Sequence, residues 1–166
     1  MEKNYKSKLF KIKTFIFDVD GVLTDGKVIV TTEGEMYRTL DTKDGYAMKY
    51  AMIKGFKIAI ISGGTNEGIR NRFQALGVKD IYLGAHEKSA AYNEIVNNYK
   101  LKPDEILYIG DDIPDIPLIN KVGVSCCPSD AVTDVKSVVD YVSHKKGGKG
   151  CVREIIEQVL RVQEKW

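Results

Sequence analysis

Short apolar runs recur along the chain at residues 15–17, 58–61, 81–83, 106–109, 122–125 and 138–142, and they show no clear two-sided polarity. Runs of this kind fit strands buried on both faces. Between them, helical spacing of apolar positions predicts helices over roughly 45–54, 67–76, 88–99, 113–121 and 152–162. Gly55 and Gly77 stand just past the first two, where glycines that end helices belong.

Strands that alternate with helices imply a parallel sheet covered on both sides, the α/β doubly wound class. One segment breaks the alternation. From 27 to 40, "KVIVTTEGEMYRTL", two β-rich arms flank Glu33 and Gly34, which predicts a projecting antiparallel β-hairpin. No repeat, low-complexity tract or linker interrupts residues 1–166, so a single domain is expected, with the hairpin at about 27–40 and a C-terminal tail and helix at about 147–166.

Charge narrows the partners. The 25 Lys and Arg nearly cancel the 23 Asp and Glu and form no basic tract, which gives no support to nucleic-acid or membrane-surface binding and points to a small solute. No window approaches the roughly 18 uninterrupted apolar residues of a membrane span, and the basic start lacks the apolar core of a signal peptide, so a cytoplasmic protein is expected. Cys126, Cys127 and Cys151 form neither an even disulfide framework nor a zinc spacing and are expected as reduced, packed thiols.

The chemistry gathers where strands end. Asp18 and Asp20, two apart, face one space at the carboxyl end of the first strand, where open α/β sheets bind ligands. A second acidic cluster, "GDDIPD" with Asp111, Asp112 and Asp115, follows another strand of the same type. Buried carboxylates that converge need a cation, and all-oxygen ligation suits Mg²⁺. Asp18 also offers a nucleophile able to form an aspartyl-phosphate, while the Ser62 hydroxyl and the Lys88 ammonium suit the non-bridging oxygens of a phosphoryl group. Taken singly, each has an ordinary reading: an aspartate capping a turn, a serine starting a helix, a solvated lysine.

In order along the chain, "DVDGVLTD", a serine after a strand, a lysine and "GDDIPD" resemble the haloacid dehalogenase superfamily of phosphatases, over nearly the whole sequence. With "KDGYAM" at 43–48 and "GGKGCVRE" at 147–154, the resemblance narrows to the 3-deoxy-D-manno-octulosonate 8-phosphate (KDO 8-phosphate) phosphatases. It implies a Rossmann-like fold and a Mg²⁺-dependent phosphatase acting on a sugar-acid phosphate of lipopolysaccharide synthesis. It also implies a homotetramer whose subunits cover each other's sites, the hairpin projecting into that contact. The gaps from Asp20 to Ser62 and from Ser62 to Lys88 leave no room for a separate cap domain.

By position, the resemblance makes Asp18 the nucleophile and a metal ligand, and Asp20 the proton carrier, lending its carbonyl to the metal. Asp111 is the further metal ligand, Asp115 orients Lys88, and Asp112 lies behind the ligands. Ser62 and Lys88 grip the phosphoryl group. Substrate contacts are implied for Asp20, Lys88, Gly63, Gly64, Lys49, Arg72 and the run Asp41, Thr42, Lys43, Asp44, Gly45, with Lys149 of the tail approaching the substrate. Relatives often carry arginine where Gly64 stands, so Arg72, Lys43 or Lys49 are candidates to replace it, and Asp41 stands where relatives often have Asn. His86 and His144 belong to no matched motif and are expected to be non-catalytic. A phosphatase of a nine-carbon nonulosonate 9-phosphate and a catalytically idle module linked to sugar-acid cytidylyl transfer remain as alternatives.

Overall fold

The computed structural model describes residues 4–166. Strands β1 (Thr14–Phe17), β2 (Ile29–Val30), β3 (Met36–Tyr37), β4 (Lys57–Ile61), β5 (Asp80–Tyr82), β6 (Ile106–Ile109), β7 (Val124–Cys127) and β8 (Tyr141–Val142) alternate with helices after the hairpin. The helices are α1 (Thr42–Ile53), α2 (Glu67–Leu76), α3 (Lys88–Tyr99), α4 (Ile116–Ile119), α5 (Thr133–Val138) and α6 (Cys151–Val162). The main sheet runs β5-β4-β1-β6-β7-β8 with every pair parallel, while β2 and β3 form a separate antiparallel pair.

Lack of alternation in the strands reflects two cores. Phe15 and Phe17 of β1 pack with Met48, Phe73 and Ile155 on one side, and Ile16 packs with Ile95, Leu118 and Val135 on the other. Each such large side chain contributes about 1.5–3 kcal/mol on burial. Strand β1 sits between β4 and β6, so all four of its residues are buried.

Helices α2 and α3 coincide with their periodic windows, and Gly77 ends α2 in the left-handed region at φ 101°. Helix α1 begins earlier than its apolar pattern because the Asp41 carboxylate accepts from the Lys43 N–H at 2.8 Å and caps it. Elsewhere the expectation needs correction. The window at 113–121 is a 3-10 turn (Ile113–Asp115) followed by the short α4, since Pro114 and Pro117 lack the N–H groups of a regular helix. The strand expected at 122–125 starts at Val124, because the Val122 N–H still bonds to Leu118 and the Gly123 N–H to Pro103. Of 138–142, Val138 closes α5 and only Tyr141 and Val142 pair with β7. The hairpin ladder has just two pairs, Ile29 with Tyr37 and Val30 with Met36.

The glycine-rich tail is not a loose flap. Gly147 passes so close behind the loop after Asp20 that a Cβ there would lie 1.8 Å from the Gly21 carbonyl oxygen. The Gly148 N–H donates to the Val22 carbonyl at 2.9 Å, and the Cys151 thiol donates to the same oxygen at 3.3 Å. All three cysteines are free and buried.

Asp44 joins α1 to α6. It is buried, its Oδ1 accepts from the Arg153 N–H at 2.8 Å, and its Oδ2 has no partner. Burial, ahead of any neighbouring charge, raises its carboxyl to about 6. The folded chain therefore holds this proton to higher pH than the unfolded chain does, so this group's contribution to stability falls as pH rises from about 4 to about 6 and then levels off. Asp44→Asn is expected to flatten that slope, measured as urea unfolding free energy against pH; an unchanged slope would assign the titration elsewhere.

Candidate active site

Three neighbouring strands deliver the site. Asp18 follows β1, Ser62 follows β4 on one side, and Gly110 and Asp111 follow β6 on the other, so residues far apart in sequence meet at one sheet edge. A cavity of about 380 Å³ there is lined by Asp18, Asp20, Ser62, Gly63, Gly64, Lys88, Asp111, Asp112 and Asp115, among others. Every residue expected in the phosphoryl-transfer set is present.

Lys88, at the start of α3, is 7% exposed and places Nζ 3.0 Å from Asp18 Oδ1 and 2.6 Å from Asp115 Oδ1. Burial alone would lower its pKa, but the two carboxylates outweigh burial and raise it, so the ammonium stays charged. Asp115 is saturated. Its Oδ1 accepts from Lys88 and from the Tyr108 hydroxyl at 2.5 Å, and its Oδ2 accepts from the N–H groups of Asp111 and Asp112. It holds Lys88 in place and has no oxygen to spare. Asp112 turns away to cap the turn at 113–115, accepting from the Ile113 N–H at 2.7 Å.

Asp18 and Asp111 are different. Burial first, then the negative charge of Asp115, pushes the Asp18 carboxyl up against the pull of Lys88. Burial, then Asp18, raises Asp111 to about 8. Asp111 Oδ1 is buried without a hydrogen-bond partner, and ligand oxygens of Asp18, Asp111 and Asp115 lie within 4.8 Å of one another. With Asp115 already saturated, the open donors belong to Asp18 and Asp111. Two carboxylates that are costly to ionise, one with an orphaned oxygen, fit a hard divalent cation. Gly21 makes room for this arrangement, since at φ 85° a Cβ there would meet Asp111 Oδ2 at 2.0 Å.

Ser62 is 3% exposed and its Oγ accepts from the Gly64 N–H at 3.2 Å. The outer residues implied by the resemblance are not brought to this cavity. Asp41 and Lys43 line a separate cavity of about 250 Å³ with Lys145, Lys149 and Arg153. Thr42 and Lys49 are exposed on α1, Asp44 and Gly45 are buried in it, and Arg72 lies against Gly45 from α2. His86 reaches the rim of the main cavity, although it belongs to no matched motif. Sequence reasoning also missed Arg38. Its Nε and Nη2 donate to the two carboxylate oxygens of Asp20 at 2.6 and 3.1 Å, and its only signal was an arginine in a short hairpin arm.

The profile of the haloacid dehalogenase-like hydrolases matches residues 80–155. The KDO 8-phosphate phosphatase KdsC of Salmonella typhi is 34% identical over 159 residues, covering 96% of this chain and 85% of that protein. The chain belongs to this family of haloacid dehalogenase-like hydrolases. Two solved family members share its fold. The crystal structure of the Yersinia pestis KDO 8-phosphate phosphatase matches with a TM-score of 0.96 at 32% identity, over 98% of this chain and 88% of that one. That of the Moraxella catarrhalis enzyme, in complex with magnesium, phosphate and KDO, matches at 0.94 and 30%, over 99% and 94%.

Proposed function

We propose that the protein is a Mg²⁺-dependent phosphomonoesterase that hydrolyses KDO 8-phosphate to KDO and phosphate. The observation that carries this reading is Asp18 ion-paired to the buried Lys88 at a parallel-strand end, facing the orphaned oxygen of Asp111. Asp18 attacks phosphorus and the bond to the sugar oxygen breaks, leaving an aspartyl-phosphate. Asp20 gives its proton to the departing sugar oxygen, then takes one from the water that attacks the aspartyl-phosphate and returns Asp18 with inorganic phosphate. Ser62 and Lys88 hold the non-bridging oxygens, and Asp115 keeps Lys88 aimed. The Asp18 and Asp111 carboxylates and the Asp20 carbonyl would hold Mg²⁺, which would supply positive charge against the repulsion between a carboxylate and an anionic phosphate.

The chain is read as a single domain, cytoplasmic and homotetrameric. Among the described residues no helix is long and apolar enough to cross a membrane. The hairpin supports assembly: Ile29, Val30, Met36 and Tyr37 are all exposed, at 66, 64, 44 and 56%, a concentration of apolar surface that a second copy would bury.

Phosphate release from a panel of sugar phosphates, with and without Mg²⁺, tests the reading. Turnover of KDO 8-phosphate is expected, and chelation with EDTA is expected to abolish it. Faster turnover of a nonulosonate 9-phosphate would move the substrate to nine carbons, and no release from any sugar phosphate with metal present would make the chain an idle member of its family.

A further inference from the structure

Five carboxylates line the main cavity, from Asp18, Asp20, Asp111, Asp112 and Asp115. An anionic substrate entering that cavity meets a wall in which Lys88 is the one lysine or arginine side chain among the described lining residues. Arg38 stands at its mouth. The side chain is only 7% exposed, and its guanidinium lies along the wall beside Gly64, where a Cβ on Gly64 would be 3.4 Å from Nη2.

Each guanidinium nitrogen of Arg38 makes one hydrogen bond. Nε and Nη2 form a fork on Asp20, and Nη1 donates to the Met36 carbonyl at 3.2 Å. That fork fits a phosphate or a sugar carboxylate as well as it fits an aspartate. The fork engages both oxygens of Asp20 and fixes the orientation of the carboxylate, so parting of the pair frees Asp20 to turn toward a leaving oxygen. The arm that carries Arg38 is lightly held, by a two-pair ladder and a bond from the Asn66 amide to the Met36 carbonyl at 3.0 Å.

We propose that Arg38 is a substrate-binding residue whose guanidinium leaves Asp20 for an oxyanion of the incoming substrate, so that capture of the anion and release of Asp20 are one event. The proposal rests on the phosphatase reading. It adds an anion contact from the hairpin: within one chain Arg38 touches Asp20 and Gly64 of the cavity wall, whereas Arg72, Lys43 and Lys49 lie apart from that wall. It also explains why glycine suits position 64: a long side chain there would compete with the Arg38 guanidinium for the same space.

Steady-state kinetics of Arg38→Ala on KDO 8-phosphate and on p-nitrophenyl phosphate, which has no carboxylate, tests it. Loss of a charged hydrogen-bond partner is expected to raise KM by about 10- to 100-fold with kcat nearly unchanged. A rise on both substrates identifies the phosphoryl group as the oxyanion; a rise on the sugar acid alone identifies its carboxylate. Arg38→Lys, with charge but no fork, is expected to fall between wild type and Arg38→Ala. Adding Gly64→Arg to Arg38→Ala returns a guanidinium to that space and is expected to recover most of the KM. A KM unchanged on both substrates, or a loss confined to kcat, overturns the proposal while the phosphatase reading stands. If wild type turns over neither substrate, the phosphatase reading falls and this proposal with it.

Discussion

Asp18→Asn is expected to lower phosphate release by about four orders of magnitude while the metal-free protein melts a few degrees higher. The two effects share one cause. Asparagine keeps an oxygen for the Val19 N–H, which Asp18 Oδ1 now accepts at 2.7 Å, and for Lys88, but it cannot attack phosphorus. It also removes one negative charge from a buried group in which Asp18 and Asp111 are already costly to ionise. Phosphate-release assays and thermal unfolding in EDTA at pH 8 check both halves. Turnover within tenfold of wild type would remove Asp18 as nucleophile, and a lower melting temperature would mean that Asp18 and Lys88 stabilise each other more than the carboxylates repel.

Lys88→Met should do the opposite to stability. Methionine matches the stem and deletes the ammonium, leaving Asp18 and Asp115 buried without their shared cation. Breaking a buried pair in this way costs about 3–5 kcal/mol, a large share of a typical domain's total. Activity should fall with it, by about 10²- to 10³-fold, because a positive charge aimed at the transferring group is lost. Urea unfolding and steady-state assays would show this; a loss of less than about 1 kcal/mol would mean that the pair with Lys88 does not hold the two carboxylates in place. Asp18 and Lys88 form one buried ion pair, yet one is expected to cost stability and the other to supply it.

Much of this was legible in the sequence because strand-end chemistry is a local pattern. An apolar run that stops at Asp18, Ser62 or Asp111 marks a buried strand and names the side chain at its end, and the parallel order then places those ends side by side. Lys88 was legible through spacing and resemblance, although its burial was not, since a lysine before a helical window looks solvated until Asp115 folds beneath it. The windows around 113–121 and 138–142 misled for a nearby reason: prolines and paired valines set local propensity, while hydrogen bonds to distant strands decide where the ladder starts. Arg38 was invisible because its role depends on a turn that folds it back over Asp20, and no periodicity records a tertiary ion pair. Asp41 and Lys43 were placed with the substrate by resemblance; within one chain they line a hollow beside α6 with Lys149 and Arg153, which leaves that expectation to the assembled protein.

The tail glycines carry a consequence for the order of assembly. The loop that presents Asp20 and clears space for Asp111 is braced from behind by Gly147, Gly148 and Cys151, more than a hundred residues later in the chain. A nascent chain carries every proposed reacting group once residue 115 has emerged, yet the loop lacks its backing until the segment before α6 arrives. Competence should therefore wait for the segment before α6 to dock behind the loop.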